Sequence, residues 1–153
     1  MPKKSAGLLL FRRRDRLEVL LVHPGGPLWG KKDEGAWSIP KGEIDVDEDP
    51  LRAARREFEE ELGSQVTGEF VQLTPIRQAS GKWVYAWAVE SDFDTATLKS
   101  GTFEMEWPPK SGRQSRFPEV DRAGWFSIAD AKVKILAGQV PLLDELLRLV
   151  SRH

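Results

Sequence analysis

The chain has 153 residues, with 23 Lys and Arg against 24 Asp and Glu, and a formal net charge of −1. This length suits a single domain over residues 1–153, and a hydrophobic share of 40% with six Trp excludes a disordered chain. The apolar runs are too short to cross a bilayer, no secretory segment is visible, and zero Cys excludes disulfides and Cys nucleophiles. We therefore expect a cytoplasmic protein without a membrane partner.

The near balance of charge combines two opposed parts of the chain. Residues 43–61 hold nine acids and three bases, a net of −6, and the remaining residues carry +5, which together give −1. Domains that bind nucleic acid through charge are usually strongly basic. The composition therefore argues against a stable nucleic-acid partner.

The first elements in chain order form a predicted hairpin. Residues 7–11 are apolar, residues 17–22 are rich in strand-favouring side chains, and the polar residues 12–16 form the turn between them. Glycine and proline interrupt this pattern from residue 23, which predicts a loop through residue 35. Residues 37–40 are predicted to be extended, because a proline at position 40 disfavours helical backbone before it.

Residues 50–62 carry the strongest helix pattern in the chain. Asp49 suits the N-cap, Pro50 suits the first helical position, and Gly63 suits a left-handed C-terminal cap. The apolar stripe that we expect to face the core consists of Leu51, Ala54, Phe58 and Leu62.

The second half of the chain alternates strands and helices. Residues 107–118 are rich in turn formers and predict a long loop, and no repeat or linker marks a second domain. The remaining predicted elements are strands at 69–78, 82–90 and 123–126, and helices at 128–136 and 141–150.

Three acids of the 50–62 helix point to a metal site. Glu57, Glu60 and Glu61 lie at spacings that bring their carboxylates onto one helix face, where like charges repel each other. Convergent carboxylates without Cys suit Mg²⁺ or Mn²⁺ in oxygen coordination, and Arg56 lies where it can orient a carboxylate. The alternative from the residues alone is a solvated acidic face with no ligand.

The spacing around this helix resembles the Nudix box. Gly42, five residues, Glu48, seven residues and then Arg56 through Gly63 (REFEEELG) reproduce that signature, which marks hydrolases of a nucleoside diphosphate linked to another group. One departure is Ser64, where the family prefers a bulky apolar residue. The resemblance implies an α/β protein with the Nudix-type α/β/α sandwich and its mixed β-sheet.

The resemblance also implies roles for individual residues. It makes Glu57, Glu60 and Glu61 the metal ligands, and a further family acid lies in a loop before the last strand, where Glu119 is our candidate. An exposed loop acid is the alternative for Glu119. The implied catalytic set is Glu60 or Glu119 as base, Arg56 as the orienting residue, and Glu48 at the start of the helix.

Candidate substrate contacts lie in the loops around the box. Basic side chains can meet phosphate oxygens and Trp rings can stack a base, although plain solubilising charge and core packing are the alternatives. The basic candidates are Lys41, Lys110, Arg113 and Arg116, and the aromatic candidates are Trp29, Trp37 and Trp107. From these and the box, the predicted substrate-binding residues are Lys41, Gly42, Trp37 and Arg116.

Together these features predict a metal-dependent pyrophosphohydrolase with no covalent enzyme intermediate, because metal ions can offset phosphate charge while water attacks. Residues 37–43 resemble the corresponding stretch of Nudix enzymes that cleave diadenosine polyphosphates and some that cleave nucleoside triphosphates. The expected partner is therefore a small nucleotide or polyphosphate. Inositol pyrophosphates, a non-catalytic nucleotide-binding module and a metal-binding structural protein remain alternatives, and the oligomeric state stays open.

Overall fold

The computed structural model describes residues 3–151. Within that range it has a mixed arrangement of strands and helices. The strands are β1 (Lys4–Arg13), β2 (Leu17–Pro24), β3 (Lys41–Glu43), β4 (Val71–Gln72), β5 (Ile76–Arg77), β6 (Trp83–Glu90), β7 (Thr102–Glu106), β8 (Gln114–Pro118) and β9 (Val120–Ser127). The helices are α1 (Pro50–Leu62), α2 (Ile128–Lys134) and α3 (Val140–Ser151).

The main sheet is mixed. Its strand order is β4-β6-β1-β2-β9, with β3 paired to β1 and β5 paired to β6. Strand β1 runs parallel to β6 and antiparallel to β2 and β3, and β2 runs antiparallel to β9. Strands β7 and β8 are not part of the main sheet. They pair with each other as a two-stranded antiparallel sheet.

Alternating side chains of β1 divide the core into two layers. Leu8 and Leu10 pack with the buried face of α1, whereas Leu9 packs with α2 and α3 on the opposite face of the sheet. This alternation follows from the two-residue period of a strand. The sheet therefore lies between helices on both faces, which confirms the predicted α/β/α sandwich with a mixed sheet.

Helix α1 begins and ends where its caps predict. The backbone N–H of Arg52 donates to the Asp49 side chain at 3.1 Å. Pro50 occupies the first turn, where backbone N–H groups have no acceptor within the helix, so its missing N–H costs nothing. Gly63 adopts φ 79°, a left-handed conformation, and its N–H donates to the Glu59 carbonyl at 2.7 Å. These caps fix the position of the acidic face of the helix.

Two predictions of secondary structure were wrong. The expected strand 69–78 is reduced to β4 and β5, which pair with β6 over two residues each. The expected loop 107–118 ends in strand β8, which pairs with the unpredicted strand β7. Phe103 lies opposite Phe117 in this hairpin, so alternate side chains give it one apolar face.

The other predicted elements are close to the observed ones. The N-terminal hairpin is β1 and β2, and the 123–126 strand lies within β9. The predicted 128–136 helix ends at residue 134, and residues 37–40 form isolated bridges to Val22 and Ile135. In the part of the chain that the structure describes, no helix combines the length and apolar character needed to cross a membrane.

Candidate active site

A cavity of about 220 Å³ opens where the end of α1 meets β3 and the start of β9. Its charged side chains are Lys41, Glu61 and Glu119, which come from three separate parts of the chain. The rest of its wall is mainly apolar, formed by Val22, Pro24, Trp29, Ala36, Ser38, Ile39, Val120 and Leu136. Charges in such surroundings interact more strongly than they do in water.

Strand β3 approaches α1 so closely that a side chain at position 42 would displace the Glu57 carboxylate. A Cβ atom on Gly42 would lie 2.0 Å from the carboxyl carbon of Glu57 and 2.1 Å from its Oε2 atom. The Glu57 carboxylate therefore occupies the space that a side chain would take. This contact explains why a glycine precedes the acidic helix at this spacing.

Arg56 joins three of the box carboxylates. Its guanidinium donates to both oxygens of Glu48, at 2.8 and 2.9 Å, to Glu57 at 2.9 Å and to Glu60 at 3.2 Å. The bonds from Arg56 hold the pKa of Glu48 down at about 2, helped by the backbone N–H of Asp45. Glu48 is thereby an ionised partner that fixes Arg56, and Arg56 in turn orients Glu57 and Glu60.

Glu61 faces the cavity without a matching partner. Its Oε2 atom is buried and has no hydrogen-bond partner among residues 3–151. Burial raises the pKa of Glu61 to about 8, repulsion by Glu57 and Glu119 adds to the shift, and Lys41 opposes it. Burial also raises the pKa of Glu57 and lowers that of the Lys41 ammonium.

The acidic residues fit a hard divalent cation. No three Asp, Glu or His side chains within residues 3–151 converge closely enough to hold a metal ion as they stand, and Arg56 pairs with both Glu57 and Glu60. The unpartnered oxygen of Glu61 and the all-oxygen donor set nevertheless suit Mg²⁺ or Mn²⁺. A cation there would offset the charge that burial disfavours on Glu61.

Glu119 lies between β8 and β9, in the loop before the last strand of the sheet. Its backbone N–H donates to the Gly101 carbonyl at 2.8 Å, and its carbonyl accepts from the Gly25 N–H at 3.0 Å. The side chain is exposed and borders the cavity that contains Glu61. Both backbone groups are held, so the position of this carboxylate is defined although the carboxylate itself is open to water.

The predicted substrate-binding residues have different surroundings. Lys41 borders the cavity, whereas Trp37 is only 5% exposed and packs edge-on against His23 and Phe126 in the core. A base cannot stack on a ring enclosed in this way, so the structure gives Trp37 a packing role instead. Arg116 is exposed on β8, where it pairs with Glu104 at 3.2 Å, and it borders neither the cavity nor the α1 carboxylates.

The sequence matches the model of a known protein family. A model described as the NUDIX domain matches residues 1–146. The chain belongs to the NUDIX domain family. It is 39% identical to an RNA pyrophosphohydrolase of Gluconacetobacter diazotrophicus over 66 residues, which cover 40% of this chain and 37% of that protein. The chain thus spans little more than a third of the length of the curated relatives that it matches.

The fold of this NUDIX domain is shared with solved structures. A C. elegans Ap4A hydrolase in a binary complex has a TM-score of 0.70 and 22% identity, over 97% of this chain and 99% of that one. The NUDIX domain of Shewanella oneidensis NrtR, complexed with ADP ribose, has a TM-score of 0.69 and 19% identity, over 98% and 89% of the two chains. Likeness at such identities establishes the fold alone.

Two polar residues that hold the site walls of this NUDIX domain are not predicted from the sequence. His23, interpreted as a turn residue, is fully buried near the end of β2, and its ring nitrogens lie 2.8 Å from Asp121 and 2.5 Å from the Lys32 carbonyl. Gln139 is also buried and bonds the backbone N–H of Ile39 at 3.1 Å. The His23–Asp121 and Ile39–Gln139 contacts join residues 98 and 100 positions apart, so no local pattern reports them.

Replacement of His23 by Phe is expected to destabilise the loop between β2 and β3. The variant keeps a ring beside Trp37 but leaves the Lys32 carbonyl and the Asp121 carboxylate without this partner. We expect the free energy of unfolding to fall by about 1–3 kcal/mol. Urea unfolding followed by circular dichroism measures the change, and equal stability of variant and parent would show that these bonds contribute nothing.

Proposed function

We propose that this NUDIX domain is a divalent-metal-dependent hydrolase of a phosphoanhydride bond in a nucleoside diphosphate linked to another group. Dinucleoside polyphosphates or nucleoside triphosphates are the favoured substrates. The observation that carries the proposal is the unpartnered Glu61 oxygen in a cavity that also contains Lys41 and Glu119. The family membership and the relatives named RNA pyrophosphohydrolase and Ap4A hydrolase support it.

In this proposal Glu57, Glu60 and Glu61 hold Mg²⁺ or Mn²⁺. The bound cation would supply charge neutralisation on the phosphate oxygens, which otherwise repel an attacking nucleophile. Arg56 is a positioning residue, because it bonds Glu57 and Glu60 while Glu48 holds its guanidinium from the other side. The three proposed ligands all come from the single helix α1.

The remaining steps use residues of the cavity. The Lys41 ammonium contacts phosphate oxygens, and Gly42 leaves room for the Glu57 carboxylate beside β3. Glu119 or Glu60 takes a proton from the attacking water as its oxygen bonds to phosphorus. The phosphorus–oxygen bond of the anhydride breaks, the leaving phosphate keeps the electron pair, and no enzyme–phosphorus bond forms.

Removal of the metal is expected to abolish product release. The test is a panel of nucleoside triphosphates, dinucleoside polyphosphates, nucleotide sugars and inositol pyrophosphates, incubated with Mg²⁺, Mn²⁺ or excess EDTA and analysed for products. We expect hydrolysis of at least one nucleotide class with either cation and only background hydrolysis with EDTA. Turnover that persists in EDTA would contradict the metal requirement.

A separate measurement distinguishes the enzyme from a binding module. Titration calorimetry with a nucleoside triphosphate and Mg²⁺ compares the parent with Glu57→Ala, and Glu59→Gln serves as the control on the same helix. Glu59 is exposed and bonds only Gln65 among described side chains. A binding module that needs no metal would bind the nucleotide equally in all three proteins and release no products.

A further inference from the structure

A second cavity of about 320 Å³ adjoins the first one. One wall is the loop after β2, and the other is the β7–β8 hairpin. The two cavities share Pro24, Trp29 and Glu119. A molecule whose reacting phosphate lies near Glu61 therefore reaches the second cavity by passing Glu119.

The lining of this second cavity is apolar. Within the described residues it contains no basic side chain, and its single charged group is the Glu119 carboxylate. Leu28 is 60% exposed and Trp29 is 37% exposed, although both are large hydrophobic residues. The remaining lining residues are Pro24, Gly25, Gly26, Pro27, Phe103 and Met105.

Tight packing between the two walls gives the second cavity a defined shape. A Cβ atom on Gly25 would lie 2.0 Å from the Pro118 carbonyl oxygen, and one on Gly26 would lie 2.9 Å from the Phe103 ring. The loop thus rests directly on the hairpin. The Lys32 ammonium lies 4.9 Å from the centre of the Trp29 ring, so one face of the indole is already covered by a cation.

The apolar lining of the second cavity disfavours a phosphate group there. A highly phosphorylated ring would bring its phosphates against apolar side chains and the Glu119 carboxylate, and no basic side chain among the described residues lines the cavity to replace lost hydration. An uncharged planar base would instead gain apolar contact and stacking on the open face of an aromatic ring. The lining therefore distinguishes nucleotides from inositol pyrophosphates, which the sequence leaves open.

We propose that the second cavity is the base subsite of this NUDIX domain, in which Trp29, Phe103 and Met105 hold an uncharged nucleobase while the phosphate chain extends past Glu119 towards Glu61. The proposal rests on the proposed function for the role of Glu61. Trp29, Phe103 and Met105 are then specificity-determining residues. They select substrates that carry a base over those that carry only phosphates.

Binding of AMP tests the base subsite without any turnover, because AMP contains no phosphoanhydride bond. Titration calorimetry with Mg²⁺ present compares the parent with Trp29→Ala and Met105→Asp, and Trp107→Ala is the matched control outside both cavities. We expect AMP affinity to fall roughly tenfold or more in Trp29→Ala and in Met105→Asp. AMP affinity in Trp107→Ala should stay within about twofold of the parent, and pyrophosphate affinity in Trp29→Ala and Met105→Asp should fall less than AMP affinity does.

The outcomes separate the subsite from the hydrolase. Unchanged AMP affinity in folded Trp29→Ala and Met105→Asp would overturn the subsite, even if the parent hydrolyses nucleotides. Tighter binding of inositol hexakisphosphate than of AMP, weakened by the same variants, would also overturn it. Loss of AMP binding in both variants, in a protein that hydrolyses no diphosphate, would support the subsite and contradict the proposed reaction instead. Circular dichroism and thermal unfolding verify that each variant is folded.

Discussion

Glu61→Gln is expected to lower the rate of hydrolysis roughly a thousandfold or more while making the metal-free protein more stable. The loss of rate follows because a cation that assists phosphoryl transfer is worth several kcal/mol, and Gln is a poorer ligand for it. The gain in stability follows because a buried carboxylate oxygen without a partner is replaced by a neutral amide. We expect about 1–2 kcal/mol, or several degrees in Tm, at neutral pH.

The pH dependence of this gain has a definite sign. The pKa of Glu61 rises from its ordinary 4.5 to about 8 in the folded protein, so folding disfavours the ionised form. The cost is absent below about pH 4.5 and grows until about pH 8. The difference in Tm between Glu61→Gln and the parent in EDTA should therefore be smallest in acid and largest near pH 8.

Glu59→Gln is the matched control for this experiment, because it makes the same change on the exposed side of α1. It should retain the parent's rate and show little pH-dependent change in Tm. Turnover of Glu61→Gln at the parent's rate would remove Glu61 from the proposed metal ligands. A Glu61→Gln protein less stable than the parent at pH 8 would show that this carboxylate has favourable contacts in the fold.

Gly42→Ala is expected to lower kcat about a hundredfold with a small change in stability. The added methyl group would occupy the space of the Glu57 carboxylate, only 2.0 Å from its carboxyl carbon. That carboxylate ends a flexible side chain, so it can move aside without unfolding the protein. Displacement of a catalytic group by about 1 Å can cost roughly 10²-fold in rate.

Gly138→Ala is the control, because its Cβ would meet nothing closer than 3.6 Å. Steady-state kinetics at several Mg²⁺ concentrations and thermal unfolding measure both variants. Full activity of Gly42→Ala would show that the exact place of Glu57 does not matter to the reaction. A fall in Tm as large as that caused by truncation of a buried core side chain would show that the glycine serves packing alone.

The parts of this protein that could be predicted are those that depend on near neighbours in the chain. The ends of α1 depend on Asp49 and Gly63, which act within one turn of the helix. The family and the α/β/α fold were implied by the resemblance of Gly42, Glu48 and the α1 acids to the Nudix box, and both predictions are confirmed. The roles of the individual site residues and the single-domain extent stay predictions.

The missed features depend on contacts between distant segments. Alternation of Phe103 and Met105 with polar residues was a local signal for β7, but the turn formers after residue 107 obscured its partner. Trp29 and Trp37 both follow loop residues in the sequence, and only the packing of His23 and Phe126 shows which ring is enclosed. Burial of a loop aromatic is a tertiary property, so composition and periodicity do not reveal it.

The backbone bonds of Glu119 have a consequence for discrimination among ligands. Because Gly25 and Gly101 hold this residue from both sides, a molecule that forces the loop after β2 away from the β7–β8 hairpin also shifts the carboxylate. An oversized ligand can therefore bind with its anhydride bond misaligned relative to Glu119, the proposed proton acceptor. We expect such compounds to be rejected through slow turnover rather than weak binding, and to act as competitive inhibitors.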